Sequence, residues 1–165
     1  MKNNFYITTP IYYVNDKPHI GHAYTTILAD VLARYKRNIG KSTFFLTGLD
    51  EHGQKVQEAA EKNNIFPQDH CDKMAPRFIS LWKKLRISND DFIRTTQVRH
   101  AKVVQEILKI VMEKGDIYED EYEGLYSVSE ERFITEKESE SGNFRDIKKL
   151  KEKNYFFKMS KYQND

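Results

Sequence analysis

The residues best suited to chemistry lie in one short stretch, Pro18-His19-Ile20-Gly21-His22. It follows residues 5–11, an apolar, β-branched and aromatic run that predicts a buried strand. It precedes residues 23–37, where apolar side chains recur at helical spacing without Pro or Gly, so a helix is predicted to about Asn38. Strand-to-helix junctions of this kind hold nucleotides in α/β folds, because free N–H groups and the positive end of the helix dipole face the phosphates.

The two histidines of this stretch, His19 and His22, are three residues apart at the start of the helix, so they lie on one side of it. Each ring offers a donor to triphosphate oxygens without needing a permanent charge. Gly21 has no Cβ, so a base or ribose can lie against the backbone there. In a structural alternative, one histidine caps the helix and the other packs beneath it. We favour nucleotide binding because Asn15 and Pro18 arrange a turn between strand and helix.

A second polar group follows the next predicted strand, residues 42–47. A helix of ample length separates the two strands, which favours a parallel pair. Asp50 and His52 then come to the same sheet edge as the two histidines, where ligands bind in such sheets. The alternative for Asp50 is a structural one, the N-cap of a helix that starts near His52.

The rest of the chain changes character after Gly115. Before it, the patterns predict helices over residues 55–62, 67–85 and 98–114 and a strand over residues 92–96. After it, short aromatic and β-branched runs separated by acidic residues predict small antiparallel strands at residues 117–118, 122, 125–128 and 132–135. The predicted fold class is therefore α/β: a parallel-sheet nucleotide-binding body followed by a small, mainly β subdomain.

Bulk composition narrows the class of protein. The 165 residues are 32% charged and 39% hydrophobic with a net charge of +2, which is typical of a soluble globular chain and gives no global field for nucleic acid. The acidic run 116–140 and the basic run 145–161 are interpreted as solvated surface. One cysteine, Cys71, allows no internal disulfide, and no leader or long apolar run is present. We expect a soluble, cytoplasmic protein.

Beyond these patterns, the chain resembles the bacterial methionyl-tRNA synthetases, a family of class I aminoacyl-tRNA synthetases. The likeness begins with the sequence TTPIYYVNDKPHIGH at residues 8–22. It continues in order with FFLTGLDEHG at 44–53, FIRTT at 92–96, GDIY at 115–118 and YEG at 122–124. The resemblance implies the first half of a Rossmann-like catalytic domain over residues 1–115. It also implies a connective insertion over residues 116–165, truncated before the second catalytic half.

The resemblance also implies a reaction, in which ATP and methionine form methionyl-adenylate, and the adenylate then esterifies tRNA(Met). Mg²⁺ is expected to accompany ATP rather than to be held by a protein cage. The matched positions form two sets. The ATP set is Asn15, His19, Gly21 and His22, with His19 and His22 as the catalytic pair; the methionine set is Pro10, Ile11, Tyr13 and Asp50.

Two further motifs were weighed against the family. Members often carry Cys-x-x-Cys zinc knuckles in the insertion, but Ser127 and Glu130 stand where the first pair would fall, so no metal site and no zinc are predicted. The sequence KMSK at residues 158–161 nearly matches the family's catalytic lysine loop. Aromatic flanks on both sides favour a packing role for it instead.

Two rival functions remain. One is a small adenylyltransferase that uses the same His-x-Gly-His motif to transfer AMP. The other is a fragment that binds ATP or the amino acid without turnover. We expect the 165-residue chain alone to be inactive, its chemistry belonging to a longer parent enzyme.

Overall fold

The structure is a computed structural model that describes residues 3–130, 132–140, 142, 144 and 146–163. The described residues form two compact units, one ending at Val104 and the other beginning at Gln105. Helix α4 (Val98–Glu113) runs across that boundary. None of the helices in the described ranges is long and apolar enough to cross a membrane.

The first unit is built on a parallel sheet of β1 (Asn4–Thr8), β2 (Tyr12–Tyr13), β3 (Ser42–Asp50) and β4 (Asp91–Arg94). Strands β1, β2 and β4 all pair with β3 in parallel, which confirms the predicted parallel arrangement. Leu46 and Leu49 have partners on both sides, so β1 and β2 lie along one edge of β3 and β4 along the other. Because β3 and β4 are parallel, the polar residues that follow them lie at the same end of the sheet.

The predicted single strand over residues 5–11 is instead two strands with an irregular link. The offset between paired residues falls by one from β1 to β2, since Asn4 lies opposite Ser42 and Tyr12 lies opposite Leu49. The extra residue falls at 9–11, where Pro10 has no N–H to give to a strand ladder. The hydroxyl of Thr9 bonds that of Thr47 at 2.7 Å and fixes the link to β3.

The helices of the first unit fall close to their predicted bounds. They are α1 (Ile20–Asn38), α2 (Gln54–Lys62) and α3 (Pro67–Lys84). Helix α1 begins three residues earlier than predicted, because the histidine motif itself forms its first turn. Pro67 occupies the first turn of α3, where its missing N–H costs nothing.

Two apolar clusters hold the sheet between its helices. On one side Phe45 is fully buried against Ala29 and Ala33 of α1. A second cluster joins β2, β3, α2 and α3, and its buried members are Tyr12, Val14, Leu49, Val56, Cys71, Ala75, Phe78 and Trp82. The aromatic side chains Phe78 and Trp82 of α3 are therefore part of the core.

Gly48 of β3 is paired with Ile93 of β4, where there is no room for a side chain. A Cβ at this position would lie 2.2 Å from the carbonyl oxygen of Ile93, a backbone atom that cannot move aside. We expect Gly48→Ala to lower the free energy of unfolding by about 3 kcal/mol, the upper range for overpacking. Urea denaturation followed by circular dichroism measures this. Gly40→Ala is the control, because no atom lies within 4 Å of its Cβ and only its φ of +80° is unfavourable.

The second unit contains an antiparallel sheet in the order β6-β5-β7, formed by β5 (Ile117–Ser127), β6 (Arg132–Ile134) and β7 (Ile147–Phe157), with a short helix α5 (Glu136–Glu140). The antiparallel, mainly β character is as predicted. Two details were wrong. The predicted short strands up to Ser127 are one 11-residue strand, and β7 was not predicted at all.

Charge complementarity joins the two long strands β5 and β7. Glu119, Glu121 and Glu123 of β5 each make an ion pair with a lysine of β7, at 3.0, 3.1 and 2.7 Å; the lysines are Lys153, Lys151 and Lys149. These side chains are about half or more exposed, so the prediction of solvated surface is confirmed for them, but their pairing across the two strands was not predicted. Arg145, where the predicted basic run starts, lies outside the described residues.

The residues of the KMSK sequence bond to Gly115 and Asp116, just before β5. Lys161 and the hydroxyl of Tyr162 both bond the buried carboxylate of Asp116, each at 2.5 Å, and Lys158 donates to the carbonyl of Gly115 at 2.8 Å. The hydrogen bonds from Lys161 and Tyr162 hold the pKa of Asp116 below its ordinary value. Both lysines thus have partners within the second unit, which supports the packing interpretation.

Candidate active site

The first turn of α1 is closed by its two histidines. His19 is the N-cap, and its Nδ1 accepts a hydrogen bond from Gly21 N at 3.0 Å. In return, Nδ1 of His22 accepts from His19 N at 3.2 Å, so the pair forms a reciprocal capping box. The rings stack with centroids 3.8 Å apart. The structural alternative is therefore confirmed in one respect, because His19 does cap the helix.

The caps use only Nδ1 of each histidine ring, so Nε2 remains available for another hydrogen bond. A neutral imidazole that accepts at Nδ1 carries its proton on Nε2, so the caps select the same tautomer in both rings. His19 is exposed and His22 is half-buried. Each ring therefore keeps its one N–H donor, at Nε2, beside the N-terminus of α1, where the free backbone N–H groups and the helix dipole favour an anion.

His22 also packs against aromatic side chains of the core. Its ring centroid lies 4.8 Å from that of Tyr12 and 5.4 Å from that of Phe78. The Tyr12 hydroxyl bonds Thr26 Oγ1 at 2.9 Å, and Thr26 donates to the backbone carbonyl of His22, so Tyr12 is tied to the helix that carries the ring it contacts. Burial, followed by the neighbouring His19, lowers the pKa of His22 below its ordinary value of 6.5.

This lowered pKa gives a pH dependence with a definite sign. The unfolded chain binds a proton at His22 more tightly than the folded chain does, so stability is fully present above pH 6.5 and falls as pH drops through the lowered pKa. Protonation of Nδ1 also removes the acceptor for His19 N. We expect an NMR titration to give a pKa below 6.5 for His22. Urea midpoints between pH 7.5 and 5 should fall less in His22→Asn than in wild type, whereas His100→Ala should behave as wild type.

Gly21 is required by the cap geometry itself. A Cβ at this position would lie 2.9 Å from Cε1 and 3.1 Å from Nδ1 of His19, so any larger side chain would displace the capping ring. The sequence argument for Gly21 was access of a base or ribose to the backbone. The structure adds a second reason, because the glycine allows His19 to fold over the first turn.

The predicted methionine-binding residues lie along the same edge of the sheet. Tyr13 is directly opposite Asp50 in the β2–β3 pairing, and its ring lies beside Gly53 at the start of α2. Pro10 and Ile11 occupy the irregular link before β2, and Asn15 is exposed in the bend after it. Since Tyr12 contacts His22 and its neighbour Tyr13 pairs with Asp50, the two predicted sets meet around β2.

Asp50 does not cap α2. The N-cap of α2 is Gly53, without a side-chain hydrogen bond. Asp50 Oδ1 instead accepts from the backbone N of His52 at 3.2 Å, closing a short turn after β3. The carboxylate is only half-buried, so it remains accessible to a ligand.

An ionic group lies behind this turn. The carboxylate of Glu51 is fully buried; its Oε1 accepts from Arg94 Nε at 2.5 Å, and its Oε2 accepts from Thr96. Arg94 also pairs with Asp72 of α3. Burial disfavours the charge on Arg94, but the hydrogen bonds to Glu51 and Asp72 outweigh it and raise its pKa above the ordinary value. Thr95, next to Arg94, is buried too.

Sequence reasoning did not include Arg94, Thr95 or Thr96 among the site residues. It placed residues 92–96 in a strand and used them as one of the stretches that resemble the synthetase family. A signal was available, because Arg94 ends a strand parallel to β3 and Thr95 and Thr96 follow it, so all three lie at the same edge of the sheet as the residues after β3.

Two further features of the described residues concern metal ligands and the single cysteine. No group of three or more His, Cys, Asp or Glu side chains lies close enough there to hold a metal ion. Ser127 and Ser129 share a hydrogen bond of 3.1 Å between their hydroxyls at the turn where the family's first zinc ligands would fall. Burial, followed by the charge of Glu51, raises the pKa of the Cys71 thiol to about 11, so it is unreactive near neutral pH.

Comparison with known proteins decides the family. Residues 5–143 match the family model described as tRNA synthetases class I (M). The chain belongs to this family. The match covers most of both units and includes the histidine motif and the strands β5 and β6, and it ends before β7.

Curated relatives match almost the whole sequence of this class I synthetase chain. The methionine–tRNA ligase of Fusobacterium nucleatum is 56% identical over 98% of the chain, and that of Thermotoga maritima is 53% identical over 97%. The structure of Mycobacterium tuberculosis methionyl-tRNA synthetase in complex with methionyl-adenylate superposes with a TM-score of 0.89, at 38% identity over 99% of the chain. It confirms the α/β, Rossmann-type fold class. The chain spans about a quarter of these ligases' length, 26% and 27%, and 34% of the solved chain.

Proposed function

We propose that this class I synthetase chain supplies the ATP half-site of a methionine–tRNA ligase. The reaction would join the carboxylate of methionine to the α-phosphorus of ATP, releasing pyrophosphate, and then pass the methionyl group from AMP to the terminal adenosine of tRNA(Met). The observation that carries the proposal is the pair of Nε2 donors that the capping box presents at the start of α1. The names of the close relatives favour this reaction over that of a small adenylyltransferase.

The histidine pair would act on the phosphates. His19 and His22 would each donate from Nε2 to phosphate oxygens, stabilising the charge that builds up as the α-phosphorus is attacked. Their caps fix the rings before the ligand arrives, so no reorganisation is needed during the reaction. Gly21 and Asn15 would shape the surface for the nucleoside. Mg²⁺ would enter with ATP, bound through its phosphates.

The methionine set would lie on the other side of β2. Asp50 would pair with the α-ammonium group, a charge-assisted contact that selects an amino acid over other acids. Tyr13 would form a wall beside it, since the two residues are paired in the sheet. Pro10 and Ile11 would line the approach with the backbone of the irregular link. ATP and methionine would then meet next to Tyr12.

The division of labour follows the predicted domains. Residues 1–115 would be the first half of the catalytic domain, and residues 116–165 a connective insertion without zinc. The lysines of the KMSK sequence would be structural, since both have partners around Gly115 and Asp116. The catalytic lysine loop and the rest of the methionine pocket would belong to the remaining three quarters of the ligase's length.

ATP–pyrophosphate exchange in the full-length protein tests the proposal. We expect exchange that depends on methionine and is not supported by a phosphate acceptor, the kind of substrate that a small adenylyltransferase would use. The 165-residue chain alone should show no exchange. Exchange without methionine in the full-length protein would contradict the assignment.

A further inference from the structure

The structure assigns Thr95 as a positioning residue for the amino-acid site, acting with the Arg94–Glu51 ion pair on the turn that carries Asp50. The inference rests on the proposed function and deepens it, because it names what orients the carboxylate that would bind the α-ammonium group. Thr95 is only 7% exposed, so it supports the site without touching the substrate.

One hydroxyl holds two consecutive residues of the turn. Thr95 Oγ1 accepts from the backbone N of Glu51 at 2.9 Å and lies 2.9 Å from Nδ1 of His52. The backbone N of Thr95 in turn donates to the carbonyl of Leu49 at 3.2 Å. Thr95 is therefore bonded to the chain directly before and directly after Asp50.

His52 connects Thr95 to the carboxylate of Asp50. Asp50 Oδ1 accepts from the backbone N of His52, whose ring is fixed by Thr95. A shift of the His52 backbone would rotate the carboxylate with it. Within the described contacts Oδ2 of Asp50 makes no hydrogen bond, so it is the oxygen that can receive an ammonium group.

The ion pair makes this support rigid. Arg94 joins three elements, because it belongs to β4, bonds Glu51 after β3 and pairs with Asp72 of α3. Its guanidinium keeps the buried Glu51 carboxylate paired, which keeps the turn from reopening toward water. Thr95 and Arg94 thus act on opposite sides of Glu51: one binds its backbone and the other its side chain.

The matched variants Thr95→Val and Thr95→Ser test the assignment in the full-length enzyme. Valine keeps the shape and removes the hydroxyl, whereas serine keeps the hydroxyl. In ATP–pyrophosphate exchange we expect Thr95→Val to raise the KM for methionine about tenfold while the KM for ATP stays within about twofold. Thr95→Ser should remain within about twofold of wild type for both. A hydroxyl that served only general stability would not separate the two KM values.

A spectroscopic readout on the 165-residue chain is independent of turnover. Nitrogen-15 NMR should show the Nδ1 resonance of His52 shift in Thr95→Val and return to its wild-type position in Thr95→Ser, while the resonances of His22 stay unchanged. If Thr95→Val does not fold, Thr95→Cys replaces it, because a thiol is a weak hydrogen-bonding group of similar size.

The outcomes separate the two proposals. If the wild-type enzyme shows no methionine-dependent exchange, the proposed function is wrong. If it does, and Thr95→Val either matches wild type or raises both KM values equally, the positioning role is overturned and the proposed function stands.

Discussion

His22→Ala is expected to lower the rate of adenylate formation by about 10²-fold or more in the full-length enzyme, the usual loss when a transition-state donor is removed. The physical reason is the Nε2 donor that the cap geometry leaves beside the N-terminus of α1. ATP–pyrophosphate exchange at saturating substrate measures the effect. His100→Ala, a histidine on α4, should retain wild-type exchange.

Because His22 also caps α1, two further variants separate catalysis from folding. The amide oxygen of His22→Asn can take the place of Nδ1 as the acceptor for His19 N, but this side chain is too short to donate where Nε2 does. His22→Gln places an amide donor near the position of Nε2. We expect the asparagine variant to be as slow as alanine yet nearly as stable as wild type, and the glutamine variant to recover part of the rate. Equal rates for these two variants would refute a donor role for Nε2.

Arg94→Met is expected to lower the free energy of unfolding by about 3 to 5 kcal/mol, because it leaves the buried carboxylate of Glu51 without its cationic partner. Urea denaturation of the 165-residue chain measures the loss. Adding Glu51→Gln to this variant should recover much of it, since the neutral amide no longer needs a counter-charge.

The control for this prediction is a more exposed arginine on the same unit. Arg99 pairs with Asp91 at 2.5 Å, but its side chain is 49% exposed. Water already solvates that pair, so Arg99→Met should change the urea midpoint little. Equal losses at Arg94 and Arg99 would show that burial of Glu51 does not set the cost.

The first unit could be largely predicted from the sequence because its signals are local. Gly40 follows the end of α1, Pro67 starts α3, and apolar spacing marks the helices between them, so bounds fell within a few residues. The histidine pair was placed on one side of the helix start from spacing alone, and the rings do stack there. The roles of Asn15, Gly21 and Asp50 in binding remain predictions.

The misses have a common cause, which is dependence on residues far away in the chain. Strand β7 was read as solvated surface because Lys149, Lys151 and Lys153 look like a charge run until their glutamate partners some 26 to 34 residues earlier are known. Their alternation was the available sign of a strand. The hydrogen bonds of Thr95 to residues 51 and 52 join positions 44 and 43 apart in the chain, and local sequence spacing cannot reveal such contacts.

The lysine row of β7 also has a consequence for solubility. Strand β7 is a long edge strand, and such edges invite pairing with a second molecule. Two copies meeting along this edge would bring lysine rows together, so like charges oppose fibre-like stacking. A one-residue slip would carry the lysines to the face away from their glutamates. The same charges therefore keep β5 and β7 in register and discourage intermolecular sheet growth.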